Sequence, residues 1–159
     1  MSGKLDLQRK IEERFLQRLK SLDSGDKEGI VRNFKKLWET EERYSYHVNK
    51  RIRDGHVSSE EEFIKRVFEV LAGHTSVILY EAPRWKGCDF WHRIIYSGKY
   101  NWVVIVGEPG TVLTAFRVEE GRFAESLKGM EDAGYKAYKG KENRQIKEIA
   151  ERVLLRLNR

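Results

Sequence analysis

The sequence contains little cysteine and proline and no long apolar run. Cys88 is the only cysteine in 159 residues, which excludes an internal disulfide and a cysteine-based zinc site. No stretch approaches the roughly 20 consecutive apolar residues of a membrane-spanning helix, and the first ten residues lack the apolar segment of a signal peptide. We therefore expect a cytoplasmic protein with no membrane partner.

The common catalytic and metal-binding motifs are also missing. There is no P-loop, no dinucleotide-binding glycine motif, no zinc-protease helix and no serine-hydrolase elbow. The only loose set of carboxylates near predicted strand ends is Glu81, Asp89 and Glu108. The four histidines show no metal-ligand spacing: His47, His56, His74 and His92. We predict no metal and no cofactor.

The charge of the chain is basic. It has 31 Lys and Arg residues against 25 Asp and Glu, a net charge of +6 and a pI of about 9.4, which favours an anionic partner such as nucleic acid. Abundant Glu, Lys and Arg with few Asn, Gln, Met and Cys are typical of thermophiles. Five aromatic residues near basic ones are candidates for stacking on RNA bases: Trp85, Trp91, Tyr96, Tyr100 and Trp102.

Apolar periodicity predicts an α+β fold. Helical spacing recurs over residues 4–22, 30–38, 41–53 and 58–73, and Ser58-Ser59 with two glutamates three residues later predict a helix start. The period then changes, and residues 76–80, 90–96, 101–106 and 111–118 predict strands joined by short turns, which must be antiparallel. Helices over 122–132 and 142–158 are predicted next, with a loop between Gly134 and Gly140.

The predicted architecture is one domain over residues 1–159. N-terminal helices pack on a four-stranded antiparallel sheet at about residues 76–118, and C-terminal helices follow. Residues 1–40 form a helical hairpin, residues 41–118 the α+β core and residues 119–159 a helical extension. The wide apolar stripe of residues 63–71 predicts a helix that lies between the sheet and another helix.

The residues that could perform chemistry lie around the predicted sheet. His47 and Arg51 are one helical turn apart, so an imidazole that moves protons would adjoin a guanidinium that binds phosphate. A solvated pair on a charged helix explains the same spacing. His92 and Arg93 point to opposite faces of one strand, and alternation does not show which of them lies in a cleft. Thr114 shares a strand with Arg117 and could donate its hydroxyl to a phosphate.

These residues occur in a familiar order. Residues 46–52 (YHVNKRI) precede a helix that opens with SSEE, and four strands follow, the last pair reading WVVIV, turn, TVLTAF. This resembles the barnase–EndoU–colicin E5/D–RelE-like superfamily of metal-independent RNases, particularly its phage- and mobile-element-associated branches, in which an H-[IV]-x-x-[RK] helix and a late [ST]-A-[FYW] strand recur. The resemblance covers residues 44–118, about half the chain.

The resemblance implies an endoribonuclease, either a toxin or a mobile-element effector, that cleaves RNA by attack of a 2′-hydroxyl. His47 would transfer the proton, Arg51 would bind phosphate and Thr114 would touch the scissile phosphate; His92 is a further catalytic candidate by position. A toxin would pair with an antitoxin or immunity protein. The substrate-binding candidates are Lys50, Arg93, Tyr96 and Arg117. Ile52 stands where the branch often has a second histidine, so the choice among His47, His56 and His92 stays open.

Two other functions fit the same residues. A nucleic-acid-binding module without catalysis needs only the basic surface and the aromatic side chains. A protein-interaction domain would instead use the helices at the two ends of the chain as its partner surface.

Overall fold

The computed structural model describes residues 2–82, 92–99, 101–118 and 122–159. Its helices and strands follow in the order predicted from the sequence, with one strand added. The elements are α1 (Ser2–Asp23), α2 (Lys27–Asn33), a 3₁₀ turn (Phe34–Leu37), α3 (Glu41–Arg53), α4 (Glu60–Gly73), β1 (His74–Glu81), β2 (His92–Gly98), β3 (Trp102–Gly107), β4 (Val112–Arg117), α5 (Arg122–Asp132), β5 (Lys136–Lys139) and α6 (Arg144–Leu157).

The strands form one antiparallel sheet in the order β4-β3-β2-β1-β5. The predicted α+β class and the antiparallel meander of four strands are confirmed. The fifth strand, Lys136–Lys139, lies where the sequence predicted a loop. It pairs with β1, but its sequence Lys-Ala-Tyr-Lys is short and mostly exposed. The strand therefore forms because it pairs with β1. Its own sequence lacks the apolar alternation that predicts a strand.

The start of α4 is specified locally. Ser59 is its N-cap, and the hydroxyl of Ser59 accepts a hydrogen bond from the backbone N–H of Glu62 at 3.2 Å. The Glu62 carboxylate accepts in return from the N–H of Ser58 at 3.1 Å. These bonds satisfy N–H groups that have no partner inside the helix.

One side of the sheet, which we call the core face, carries most of the hydrophobic core. Helix α4 lies between this face and α6, as its wide apolar stripe predicts. Helix α1 packs beside α6 and contributes Ile11, Phe15 and Leu19, all with no exposed surface. The core face of the sheet supplies a row of buried side chains: Leu79, Ile94, Tyr96, Val104, Val106 and Ala115.

The opposite side, which we call the outer face, is covered less completely. Tyr80, Ile95 and Val103 form a small buried cluster there, and Leu127 and Met130 of α5 pack against it. Other outer-face side chains near β4, such as Ile105 and Phe116, are only half-buried. The outer face close to β4 is therefore the more accessible part of the sheet.

The turn between β3 and β4 requires a glycine. Gly110 has a φ of +79°, in the left-handed region that favours glycine, and its N–H donates to the Gly107 carbonyl at 2.9 Å. A Cβ at this position would lie 2.5 Å from Cβ of Arg14 on α1. The turn can therefore pack against α1 only because residue 110 has no side chain.

Among the described residues, no helix has both the length and the apolar character that crossing a membrane requires.

Candidate functional site

Helix α3 lies along β4, one of the two edge strands of the described sheet. Three of its side chains, spaced four residues apart and therefore on one helical face, contact consecutive residues of this strand. Arg43 Nη1 donates to the Leu113 carbonyl at 3.2 Å, and Arg51 Nε donates to the Ala115 carbonyl at 3.0 Å. His47, between these two arginines, contacts the residue between the two carbonyls.

That contact joins His47 to Thr114. Nδ1 of the imidazole lies 3.2 Å from Oγ1 of the threonine, within hydrogen-bond distance. Both side chains are half-buried. On another side the imidazole packs on Trp38, with ring centroids 5.7 Å apart. The structure therefore places two of the four residues predicted to be catalytic, His47 and Thr114, in direct contact. Arg51 lies one helical turn from His47 but bonds to the Ala115 carbonyl.

A β-bulge aims Thr114 at this contact. Ile105 of β3 pairs with Thr114 and the next residue, Val106, pairs with Val112, so Leu113 is an extra residue in β4. Without the bulge, Thr114 would alternate onto the core face together with Val112. With it, Thr114 shares the outer face with Ile105, because paired residues of neighbouring strands lie on the same side.

The imidazole of His47 lies in a strongly cationic environment. The pKa of His47 is lowered from 6.5 to about 4, mainly by burial and then by the nearby charges of Arg51, Arg43 and Lys50 in that order. The side chain is consequently neutral near pH 7. A neutral imidazole beside fixed cations can accept a proton from a group that is bound next to an anion.

The Arg51 side chain makes its contacts within the protein. It is 7% exposed, bonded to the Ala115 carbonyl, and its guanidinium lies 5.7 Å from the centre of the Phe116 ring. Its only ion-pair partner among the described residues is Asp54, at 3.8 Å. This placement does not fit the predicted role as a phosphate ligand, because the guanidinium of Arg51 is buried against the backbone of the edge strand β4.

His92 belongs to a different cluster, on the core face where β1 ends and β2 begins. Its Nδ1 contacts Glu108 and its Nε2 lies 3.2 Å from Glu81. Lys4 of α1 also bonds to Glu81 and is the main cause that lowers the pKa of this carboxyl. The structure therefore separates His92 from Thr114, although the sequence placed both in one site.

This second cluster contains two of the three carboxylates that the sequence placed near strand ends, Glu81 and Glu108. The third, Asp89, lies outside the described residues. No group of three His, Cys, Asp or Glu side chains able to hold a metal occurs within residues 2–82, 92–99, 101–118 and 122–159.

The predicted substrate-binding residues have different positions. Lys50 is half-buried and close enough to His47 to affect its pKa. Arg93 shares the outer face with Ile95, and its buried Nε has no hydrogen-bond partner among the described residues. Arg117 is exposed at the end of β4 and lines a separate cleft of about 480 Å³.

Tyr96 was wrongly placed in the substrate site. It has no exposed surface, and its hydroxyl donates to the carboxylate of Glu12 on α1 at 2.6 Å. Burial and this carboxylate both raise the pKa of Tyr96 well above its usual value. Tyr96 is therefore a core residue that links the sheet to α1, and a ligand cannot reach it.

Of the five aromatic residues proposed to stack on bases, the two that the structure describes, Tyr96 and Trp102, are both buried. Trp102 is buried at 5% exposure, and Trp85, Trp91 and Tyr100 lie outside the described residues. Sequence reasoning missed Tyr46, which is 59% exposed and directly precedes His47. Its signal is visible in the sequence, because Tyr46 lies four residues before Lys50 and therefore on the same helical face.

Comparison with known proteins gives a family. The chain belongs to the family described as "Uncharacterised protein aq_aa01", which matches residues 28–158. No curated protein and no solved structure is significantly similar to the chain.

Proposed function

We propose that this protein is a metal-independent endoribonuclease in which His47 transfers the proton and Thr114 positions the imidazole. The observation that carries the proposal is the 3.2 Å contact between His47 Nδ1 and Thr114 Oγ1 within a group of cations. The resemblance of residues 44–118 to metal-independent RNases supports the same assignment. The basic charge of +6 favours a polyanionic substrate.

The chemistry follows from the state of the imidazole. When Nδ1–H donates to Thr114 Oγ1, Nε2 carries a lone pair and acts as a base, because the hydrogen bond at one ring nitrogen fixes the tautomer. Nε2 removes the proton of a ribose 2′-hydroxyl, and the resulting oxygen attacks the neighbouring phosphorus. The 5′-oxygen of the next nucleotide leaves and takes the proton from the imidazolium. The products are a 2′,3′-cyclic phosphate and a 5′-hydroxyl.

The surrounding cations fit the charge that develops during this reaction. The phosphorane is more anionic than the starting diester, and fixed positive groups stabilise it without reorganising. Lys50 and Arg43 are the suitable groups next to His47. Arg43 donates through Nη1 to the Leu113 carbonyl but is exposed, whereas Arg51 is buried against the Ala115 carbonyl. On this proposal the enzyme acts in the cytoplasm as a toxin or a mobile-element effector, and an antitoxin or immunity protein restrains it.

The direct test is cleavage of RNA by purified protein in excess EDTA. We expect cleavage that EDTA does not reduce, products that end in a 2′,3′-cyclic phosphate, and no cleavage when the 2′-hydroxyl is replaced by hydrogen. His47→Ala should lower kcat by about 10²- to 10⁴-fold, the usual contribution of a proton-transfer residue. An inactive wild-type protein, or a His47→Ala variant with full activity, would contradict the proposal.

Matched variants separate the roles of the two residues. Thr114→Val removes the hydroxyl with little change in volume and should lower kcat without raising KM, whereas Thr114→Ser should recover most of the rate. Asn49→Ala, an exposed neighbour on α3, serves as the control for changes to this helix. Equal losses in Thr114→Ser and Thr114→Val would mean that the hydroxyl does not position the imidazole.

A second function, nucleic-acid binding without catalysis, is favoured by the inward orientation of Arg51. This orientation removes one predicted phosphate ligand from the site. Here RNA affinity should fall steeply with salt, RNA should stay intact, and His47→Ala should leave the affinity unchanged.

A further inference from the structure

Tyr46 is unusual among the aromatic residues of this chain. Its side chain is 59% exposed, whereas every other Phe, Tyr or Trp whose side chain the structure describes is buried or half-buried. A single exposed aromatic residue is not remarkable by itself. The position of Tyr46 beside the proposed proton-transfer residue is what gives it a function.

The Tyr46 ring contacts the imidazole of His47 directly. The two ring centroids are 5.3 Å apart and the rings are nearly perpendicular, at 82°. Trp38 lies on another side of the imidazole, with centroids 5.7 Å apart, but it is buried at 3% exposure. Within the described part of the chain two aromatic rings contact His47, and of these only Tyr46 offers a surface to a ligand from solvent.

Cations flank Tyr46 on the same side of the helix. Arg43 precedes it by three residues and Lys50 follows it by four, spacings that place side chains next to each other on a helix. Arg43 is exposed and Lys50 is half-buried. An exposed aromatic ring between two cations, next to a neutral imidazole, combines the two features that bind single-stranded nucleic acid: a stacking surface and a charged track for the backbone.

We propose that Tyr46 stacks on the nucleobase next to the scissile phosphate and that the substrate is therefore single-stranded RNA. This inference rests on the proposed function, because it assumes that the bound phosphate lies at His47. A base within a duplex is stacked on its neighbours and cannot cover the ring, whereas an unpaired base can turn out and do so. Arg43 and Lys50 hold the adjoining phosphates, and Tyr46 sets which nucleotide lies at the imidazole.

Binding to a probe that cannot be cleaved tests this inference without turnover. The probe is a fluorescently labelled 2′-O-methyl oligoribonucleotide, which lacks the attacking hydroxyl, offered as a single strand and as a duplex with its complement. Tyr46→Ala should weaken single-strand binding by roughly 5- to 150-fold, the usual loss for one stacked base. Tyr46→Phe and Tyr46→Trp should bind within about twofold of wild type, because stacking requires a ring and no hydroxyl.

Leu155→Ala is the matched control, since Leu155 is 61% exposed on α6 and its removal should leave both affinities unchanged. Duplex binding should change by less than about twofold in Tyr46→Ala, because a duplex is held through its phosphates. Equal weakening of single strand and duplex, unchanged binding in Tyr46→Ala, or failure of Tyr46→Phe to bind would each overturn the inference.

Kinetics distinguish failure of the inference from failure of the proposed function. Cleavage by the wild type together with a raised KM in Tyr46→Ala supports both. Cleavage with an unchanged KM in Tyr46→Ala overturns the role of Tyr46 and leaves the ribonuclease intact. No cleavage of single-stranded RNA by the wild type in EDTA overturns the proposed function, whatever the 2′-O-methyl probe shows.

Discussion

At the scale of single residues, burial and three neighbouring cations make protonation of His47 unfavourable in the folded protein. Its imidazole is half-buried, and Arg51, Arg43 and Lys50 repel a positive charge on it. For a base, this arrangement is useful over a wide pH range. We expect kcat/KM to be flat from about pH 5 to about pH 8 and to fall only as the pH approaches the value of about 4 at which His47 takes up a proton.

The same shift predicts how stability depends on pH. The pKa of His47 is about 4 in the folded chain and 6.5 ordinarily. Between these values the unfolded chain binds a proton that the folded chain excludes, so acidification from about pH 6.5 to about pH 4 favours unfolding. Because the side chain is half-exposed, solvent screening limits its share to about 1–2 kcal/mol.

Urea unfolding of wild type and His47→Gln at both pH values measures this share. The other titratable groups of the chain are the same in both proteins, so their contributions cancel in the difference. The variant should lose about 1–2 kcal/mol less stability than wild type on acidification. An identical loss in the two proteins would show that His47 is not held neutral by its surroundings.

At the scale of elements, the site depends on how α3 covers β4. An edge strand has unpaired backbone groups that must be protected from other strands, and here the two arginines of α3 occupy the Leu113 and Ala115 carbonyls. The pairing of Trp38 with Val112 covers the start of the same strand. His47 is held against Thr114 because the residues on both sides of it are fixed in this way.

Arg51 is therefore expected to contribute to stability and not to RNA binding. Arg51→Met keeps most of the side-chain volume but removes the donor to the Ala115 carbonyl, and it should cost about 1.5–3 kcal/mol in urea unfolding. RNA affinity should stay within about twofold of wild type. A stable Arg51→Met protein with weakened RNA binding would instead restore Arg51 as a phosphate ligand.

Lys50→Met on the same helix is the matched comparison. Lys50 is half-buried beside His47 and takes part in no ion pair among the described residues, so its loss should change stability by less than about 0.5 kcal/mol. If it contacts a phosphate, RNA binding should weaken for all sequences, and the slope of affinity against salt should fall by about one.

The elements were more predictable than their contacts. The stripe of α4 and the change of period after Gly73 are local signals, and they give the helix and the sheet correctly. The strand at 136–139 has no such signal, because it forms by pairing with β1. The face of His92 was undecidable because both faces of β2 carry large apolar groups. The orientation of Arg51 and the bulge at Leu113 depend on how α3 packs against β4. The local sequence pattern of either element does not contain this information.

At the scale of the whole molecule, α1 belongs to the core even though the family match begins at residue 28. Phe15 of α1 has no exposed surface and lies with its ring 6.5 Å from that of Tyr96 in β2. The Tyr96 hydroxyl donates to Glu12 on the same helix. A helix bound to the middle of the sheet by both packing and a buried hydrogen bond is expected to unfold together with the sheet.

Phe15→Ala tests whether the chain unfolds as one unit. Removing a large buried aromatic side chain should cost about 3–5 kcal/mol. If the chain is one domain, this loss should appear equally in helix content by circular dichroism and in the fluorescence of the buried Trp38 and Trp102. Arg9→Ala, an exposed change on the same helix, should leave both transitions in place. Early loss of helix signal with unchanged tryptophan fluorescence would instead make α1 a separate unit, and the site between α3 and β4 would then be independent of it.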